Sequence, residues 1–282
     1  MPANHIFSAN GESFYLFSMT DSKWTLSKIG YNSWLPFFNE TNALYVYARG
    51  VLYWFTTGIC HIYTLKDRSY HVLSTTHDAY KAACYNGNDQ IYVVEVKTSN
   101  EHDNSSTYQV HSFNIDTLKF EAIGNPFDFK YASPFTFAIN QKIYFFGEPC
   151  SVLYFDTVDS STGYILNHKN LYMYRRFLSV CYDGNDNFYL LFVGAFFRFS
   201  ITNNLMYFLP IPPVDVYSLP DKIISHYHQS SGTIFYLVGS DKNMTFCLRT
   251  EEWSRLTDDG DQVADRGGYG SCLIPIGWTI AE

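Results

Sequence analysis

Two histidines one residue apart, His226 and His228 in the segment SHYH, stand out among the side chains that could do chemistry. The segment is predicted to be a strand, in which alternate residues point to the same face. Imidazoles placed in this way can share a metal ion. The pair is therefore the first candidate for a metal site.

Cysteines at equivalent positions favour a different interpretation. When the chain is aligned on the glycine that ends a following strand, Cys181 falls in the column of His226. The segment CYNGNDQIYVV at 84–94 returns as CYDGNDNFYLL at 181–191, so Cys84 joins that column, and Cys272 is a further candidate. Cysteine is small, apolar and easily buried, and no closely spaced ligand pair of the zinc type is present. We expect packing here, with no metal and no cofactor.

Arginines and loop aromatics form the second group of candidate site residues. Three arginines precede predicted strands, where a guanidinium fork could bind a carboxylate or phosphate of a partner. Exposed aromatics beside arginine are typical of binding surfaces. The predicted binding residues are Arg175, Arg176, Arg266, Tyr131, Trp34, Tyr80, Tyr174 and Tyr217.

Structural interpretations of these residues stay open beside the functional one. Loops of this length often pack their own side chains, so the aromatics can equally cap the core. The arginines can instead pair with the acidic loop TDDGDQVAD, because structural ion pairs are common. That loop carries Asp258, Asp259, Asp261 and Asp265.

A repeated pattern predicts the elements that must position these side chains. Six times along the chain, a predicted hairpin turn is followed by an aromatic residue, at intervals of 43 to 50 residues; these are Trp24, Tyr70, Phe120, Tyr164, Tyr207 and Trp253. Units of that length with several short strands are typical of a β-propeller. The third unit is predicted to hold strands near 80–86, 90–96, 107–115 and 118–123, which makes the duplicated segment the first hairpin of units three and five.

The two ends of the chain are predicted to build one unit together. The C-terminal SCLIPIGWTIAE is predicted to supply its first and second strands. The N-terminal SFYLFSMT and SKWTLSKI would then supply the third and fourth. Such closure removes free sheet edges. We predict an all-β, six-bladed β-propeller of four-stranded blades, closed by a blade shared between the termini, as a single domain over 1–282.

Several segments resemble known propeller repeats. The second strands KIYFFGE, FYLLFVGA and TIFYLVGS, with the late Trp24 and Trp253, resemble the kelch motif. The segment ARGVLYWFTTGICHIYTLKDRSYHVL resembles the F-box-associated β-propeller pattern. The kelch double glycine is single here, at Gly147, Gly194 and Gly239, and Trp is often replaced by Tyr or Phe. The resemblance implies a six-bladed propeller that serves as a partner-binding module.

Composition excludes several classes of function. The net charge of −8 gives no basic footprint for nucleic acid or for anionic lipid. No apolar stretch reaches the roughly 18 residues that a membrane helix needs. Six scattered cysteines without a CxxC pair suggest reduced thiols and a cytoplasmic protein. Nucleophile-elbow, phosphate-loop, HExxH and dinucleotide motifs are absent.

Three functions from different classes follow from these patterns. The main prediction is a non-catalytic, monomeric module that recognises a protein or peptide partner with its loop face. The alternatives are a propeller that binds a carbohydrate or small ligand, and an enzyme built around His226, His228, Arg176 and Tyr131. Spacing does not assign catalytic residues, because propeller enzymes assemble their sites from distant residues.

Overall fold

Antiparallel strands make up almost all the regular structure of the described chain. The computed structural model describes residues 3–9, 14–27, 44–67, 69–76, 80–100, 105–130, 132–147, 150–167, 177–215, 218–220 and 222–275. A short 3-10 helix spans Ser240–Lys242. Within the described ranges, no helix has the length and apolar character needed to cross a membrane.

The strands fall into two compact units, Met1–Ala43 with Arg176–Glu282, and Leu44–Arg175. In chain order they are β1 (Ala3–Ala9), β2 (Phe14–Ser18), β3 (Lys23–Ser27), β4 (Leu44–Ala48), β5 (Val51–Thr56), β6 (Ile59–Thr64), β7 (Tyr70–Ser74), β8 (Tyr80–Tyr85), β9 (Gln90–Asn100), β10 (Ser105–Asn114), β11 (Lys119–Lys130), β12 (Ala132–Ile139), β13 (Lys142–Gly147), β14 (Ser151–Asp156), β15 (Thr162–Asn167), β16 (Phe177–Tyr182), β17 (Asn187–Phe192), β18 (Ala195–Ser200), β19 (Leu205–Leu209), β20 (Ile224–His228), β21 (Thr233–Leu237), β22 (Met244–Cys247), β23 (Glu252–Arg255) and β24 (Gly270–Pro275).

Each unit contains three four-stranded antiparallel sheets, which are the blades. The unit Leu44–Arg175 holds β4–β7, β8–β11 and β12–β15. The other unit holds β16–β19, β20–β23 and the sheet β24-β1-β2-β3. Within each unit the first strands of successive blades contact one another. The chain is therefore an all-β, six-bladed β-propeller with four-stranded blades, which confirms the predicted fold class; a single domain over 1–282 stays a prediction.

Burial along the strands follows their position in the blade. The second strands β5, β13 and β17 are buried from their second residue onward, so they read as continuous apolar runs such as VLYWF and FYLLF. Both of their faces are covered, as in other doubly buried strands. The fourth strands β7 and β23 are mostly exposed. Continuous apolar runs therefore lie inside the blades and not on these outer strands.

The six repeated aromatics all lie near the start of a fourth strand, and four of them take the same register position: Trp24, Tyr70, Phe120 and Trp253. Each of the six lies within the first three residues of a fourth strand; they are Trp24, Tyr70, Phe120, Tyr164, Tyr207 and Trp253. The duplicated segments are β8–β9 and β16–β17, the first hairpins of blades three and five. In both hairpins the turn is held by backbone hydrogen bonds of the same kind, from Ile115 N to Asp89 O and from Ile201 N to Asp186 O. The predicted repeat is confirmed.

The blade shared between the termini differs in one respect from the prediction. Its first strand is β24 from the C-terminal end, and its other three strands are β1, β2 and β3. The prediction that the C-terminal segment supplies two strands is wrong, because Ala3–Ala9 pairs with both β24 and β2 and so takes the second place. The segment ANHIFSA has no regular apolar–polar alternation, so its residue pattern gives little sign of a strand.

A buried ion pair locks this shared blade. The guanidinium of Arg266 donates to both carboxylate oxygens of Asp261, at 2.9 Å from Nε and 2.6 Å from Nη2. Both side chains are out of contact with solvent. A third donor, Nη1, lies 3.3 Å from Oγ of Ser8 in β1. The segment after β23 is thereby tied to the N-terminal strand.

Aromatic rings cover the same guanidinium. Arg266 lies 3.5 Å above the ring centre of Trp24, and 4.8 Å and 5.2 Å from those of Tyr15 and Tyr269. A cation over an aromatic face is attracted by the ring quadrupole, most strongly when water is excluded. Trp24 is one of the six repeated aromatics, so a residue of the blade repeat shields the ion pair from solvent here.

Asn243 extends the network to the neighbouring blade. Its amide donates to Asp259 at 2.8 Å and to Asp261 at 2.7 Å. Its carbonyl oxygen accepts from the backbone N–H groups of Val238 and Gly239. Asn243 is fully buried, and every one of these polar atoms has a partner, as buried polar groups require.

Substitution of Arg266 tests how much the ion pair with Asp261 contributes to the free energy of unfolding. Arg266→Met leaves the Asp261 carboxylate buried without its partner, so we expect the free energy of unfolding to fall by about 3–5 kcal/mol. Arg198→Met is the matched control, because Arg198 forms a partly exposed pair with Glu251 at 3.6 Å, which is worth about 0–1 kcal/mol. Urea denaturation of both variants gives the comparison. Equal losses in the two variants would contradict a dominant role for the buried pair.

Candidate functional site

Serines recur at one interval along three successive first strands. Ser179 in β16, Ser225 in β20 and Ser271 in β24 are each 46 residues apart. Ser179 pairs with Leu191, which packs toward the following blade, whereas Ser225 pairs with Tyr236, which packs toward the preceding one. The equivalent serines are Ser225 and Ser271, since each contacts a side chain of the preceding first strand. Together the three serines place a line of hydroxyl groups along the first strands of this unit.

The register places Cys181 and His226 at equivalent positions, as predicted. Cys181 pairs with Tyr189 and His226 with Phe235, and these two partners each pack toward the following blade. The Cys181 thiol accordingly lies beside Ser225, and the His226 imidazole lies beside Ser271. The duplicated hairpins themselves align as predicted, since Cys84 and Cys181 pair with equivalent tyrosines.

Hydrogen bonds join these side chains across the strands. The hydroxyl of Ser179 donates to Oγ of Ser225 at 2.5 Å, and Ser225 donates to the carbonyl of Val180 at 3.2 Å. On the other face of β20, Nε2 of His226 lies 2.9 Å from Oγ of Ser271. Because side chains alternate along a strand, β20 directs Ser225 to one neighbouring first strand and His226 to the other.

The imidazole of His226 is held in its neutral form. Burial and, to a smaller extent, the positive charge of Lys222 together lower its pKa from the ordinary 6.5 to about 4. Both causes disfavour the imidazolium ion. Near pH 7 the ring therefore has one nitrogen that can accept a proton, beside a serine hydroxyl and a lysine ammonium group. This set of groups is suited to general base chemistry.

His228 has a different environment, although it lies on the same strand. Its Nδ1 is 2.9 Å from Oγ of Ser231, and its Nε2 is 3.0 Å from Oγ of Ser230. The ring also contacts Phe235 edge to face. Both nitrogens are thus engaged by the turn that follows β20, so His228 stabilises this turn. Among the described residues, no three His, Cys, Asp or Glu side chains are grouped so as to hold a metal ion.

The cysteines of the first strands behave as buried packing residues. Cys84, Cys181 and Cys272 are all buried. Burial raises the pKa of the Cys84 thiol to about 12 and raises those of Cys181 and Cys272 still further above the ordinary value. The thiols stay protonated, and a protonated thiol is a poor nucleophile and a poor metal ligand.

Two of the predicted binding residues are among the described ones. Arg266 is buried in the ion pair with Asp261 described above, which agrees with the alternative that it pairs with the acidic loop. It therefore cannot contact a partner at the surface. Tyr80 is half-buried; its hydroxyl donates to Oγ1 of Thr75 at 2.7 Å, and its ring packs against Phe55. The other six lie outside the described residues: Trp34, Tyr131, Tyr174, Arg175, Arg176 and Tyr217.

Comparisons with known proteins support the fold. No protein family and no curated protein matches the sequence. A solved oligogalacturonate lyase from Vibrio parahaemolyticus is similar, with a TM-score of 0.53 and 10% identity over 93% of this chain and 84% of that one. An oligogalacturonate lyase in complex with manganese has a TM-score of 0.56 and 9% identity over 86% of this chain and 70% of that one. At such identity the likeness establishes the fold.

These neighbours contradict the main functional prediction. Both are enzymes, whereas the loop aromatics and arginines suggested a non-catalytic module for a protein or peptide partner. The likeness favours the alternative of an enzyme or a carbohydrate-binding propeller. The resemblance to kelch and F-box-associated repeats is tested by neither comparison and stays a prediction. The described residues do not fit a manganese site, so the chemistry below is assigned to side chains alone.

The state of His226 can be measured directly. We expect its ring proton resonances to titrate with a pKa of about 4 in an NMR pH titration. Lys222→Met should raise this pKa, because it removes a nearby positive charge, but should leave it below 6.5, because burial is the larger cause. A wild-type value near 6.5 would contradict the desolvated site.

Proposed function

We propose that this protein is an enzyme that cleaves an acidic oligosaccharide by elimination, with His226 and Ser271 as the proton-accepting pair. The observation that carries the proposal is the neutral imidazole of His226 at 2.9 Å from the serine hydroxyl. The names of the two structural neighbours support the substrate class, since both are oligogalacturonate lyases.

The elimination begins with removal of a proton from the sugar carbon next to the carboxylate. Oγ of Ser271 accepts that proton while its own proton passes to Nε2 of His226. The electron pair left on carbon forms a double bond to the adjacent ring carbon, and the bond from that carbon to the glycosidic oxygen breaks. The leaving oxygen takes a proton from water, so the products are one unsaturated and one saturated sugar end.

The charge of Lys222 suits this substrate class. A carboxylate bound beside the ammonium group would be attracted by it, and a proton on the adjacent carbon becomes easier to remove when the carboxylate charge is compensated. The bound anion would also offset the effect of Lys222 on His226. An anion close to an imidazole raises its pKa, which brings the base closer to the working pH, where a general base is most effective.

Incubation with oligogalacturonate tests the reaction type. The unsaturated sugar end absorbs ultraviolet light, whereas hydrolysis gives no such product. We expect absorbance to rise with wild-type protein, and mass spectrometry should show fragments without added water. Cleavage that gives only saturated ends would contradict elimination. An absence of cleavage for uronate oligomers would contradict the proposed substrate class.

Two histidine variants separate the catalytic role from a structural one. His226→Gln should lower kcat by about 10²- to 10⁴-fold, which is the usual contribution of a general base. His228→Gln is the matched control on the same strand, because it removes hydrogen bonds of the turn alone; we expect kcat within a few-fold of wild type. Circular dichroism should establish that both variants are folded. Equal loss of kcat in both would contradict the role of His226.

A further inference from the structure

A polar groove lies on one face of blade three, the sheet β8–β11, apart from His226. It has a volume of about 440 Å³, within the range of about 300–1,000 Å³ that small-molecule sites occupy. The side chains that line it come from β9, β10 and β11 and from the turn between the last two; they are Gln90, Tyr92, Ser112, Asn114, Thr117, Lys119, Glu121 and Ile123. Apart from Ile123, every one of them carries a hydrogen-bonding group.

The strand register arranges most of these groups in two rows across the sheet. The rows are Gln90, Asn114 and Lys119, then Tyr92, Ser112 and Glu121. Neighbouring strands lie about 4.8 Å apart, which is close to the spacing of hydroxyl groups across a sugar ring. The groove therefore presents amide, hydroxyl, ammonium and carboxylate groups at intervals that a polyhydroxyl ligand can match.

The duplicated blade five carries larger side chains at the equivalent positions. There the second row is Tyr189, Arg198 and Tyr207. The guanidinium of Arg198 lies 4.9 Å from the ring centre of Tyr207 and reaches Glu251 of the next blade at 3.6 Å. A long side chain stacked on an aromatic ring covers this face and bridges to the neighbouring blade.

Blades three and five thus differ in the side chains at the position of the groove. Ser112 takes the place of Arg198 and Glu121 that of Tyr207, because they pair with Tyr92 in the same register as their equivalents pair with Tyr189. Packing alone does not call for these smaller and more polar residues. In addition, Oε1 of Gln90 is buried without a hydrogen-bond partner in the described chain, so one of the lining residues has an unsatisfied acceptor.

We propose that this groove binds a neutral saccharide unit. One ammonium and one carboxylate group, Lys119 and Glu121, leave the lining without net charge, so an anionic ligand gains no overall attraction there. Amides and carboxylates can each bind a pair of adjacent hydroxyl groups. This site is separate from His226, and the proposal does not depend on the elimination reaction.

Calorimetric titration with galactobiose, a neutral disaccharide, tests the groove. We expect galactobiose to bind to wild type. The His226→Gln variant, in which the groove is intact, should bind digalacturonate more weakly than it binds galactobiose. Ser112→Arg reproduces the side chain of the equivalent position 198 and should weaken galactobiose binding at least about tenfold, or about 1.4 kcal/mol. Val72→Arg is the matched control, since Val72 is exposed on β7; it should leave the affinity unchanged.

A second variant, Glu121→Ala, tests the groove in case Ser112→Arg does not fold. Glu121 is exposed, so Glu121→Ala should keep the fold and also weaken galactobiose binding about tenfold, because it removes an acceptor for two hydroxyl groups. His226→Gln should bind galactobiose as wild type does, which separates this site from the proposed catalytic one. The proposal is overturned if wild type does not bind galactobiose, or if every folded groove variant binds it as tightly as wild type.

Discussion

The buried pair between Arg266 and Asp261 is the interaction on which the shared blade depends. A charge removed from water is tolerated only when a partner and further hydrogen bonds replace the solvent, and here one guanidinium is satisfied by a carboxylate, a serine hydroxyl and an aromatic ring at once. The pair joins a segment near the C-terminal end to β1 near the N-terminal end. It adds to the ladder between β1 and β24, to the hydrogen bond from Trp24 N to Asp259 O and to the packing of Tyr15 against Tyr269.

The ion pair between Arg266 and Asp261 also helps to position the proposed site. β24 begins four residues after Arg266 and carries Ser271, the partner of His226. Holding the start of β24 in place keeps the serine within hydrogen-bonding distance and limits water around the imidazole. The low pKa of His226 therefore follows from packing, because desolvation is its largest cause. In this account the stability of the blade and the protonation state of the site have a common origin.

The fold could be predicted from the sequence because its signals are local and repeated. A hairpin turn followed by an aromatic, as at Trp24 or Trp253, marks each blade, and the duplicated segment fixes the phase of the strands. The site was predicted only in part. His226 was found from the SHYH pattern, but its partner Ser271 is 45 residues away, and the 46-residue interval of the serines becomes visible only once the register is known.

Function was harder to predict because the same residue types serve binding and packing. Arg266 precedes a strand, as a ligand-binding arginine could, and only the structure shows its carboxylate partner 2.6 Å away. The aromatic ring of Tyr80 likewise packs against Phe55 of the core. Composition of the loops therefore suggested a binding module, whereas the two structural neighbours are both enzymes.

The pH dependence of kcat/KM on oligogalacturonate tests the central claim most directly. This parameter reports the pKa values of essential groups in the free enzyme. The account predicts that kcat/KM stays level as the pH falls from neutral and declines only through an apparent pKa of about 4, where His226 becomes protonated. An acidic limb centred near the ordinary 6.5, or a profile unchanged in the His226→Gln variant, would contradict it.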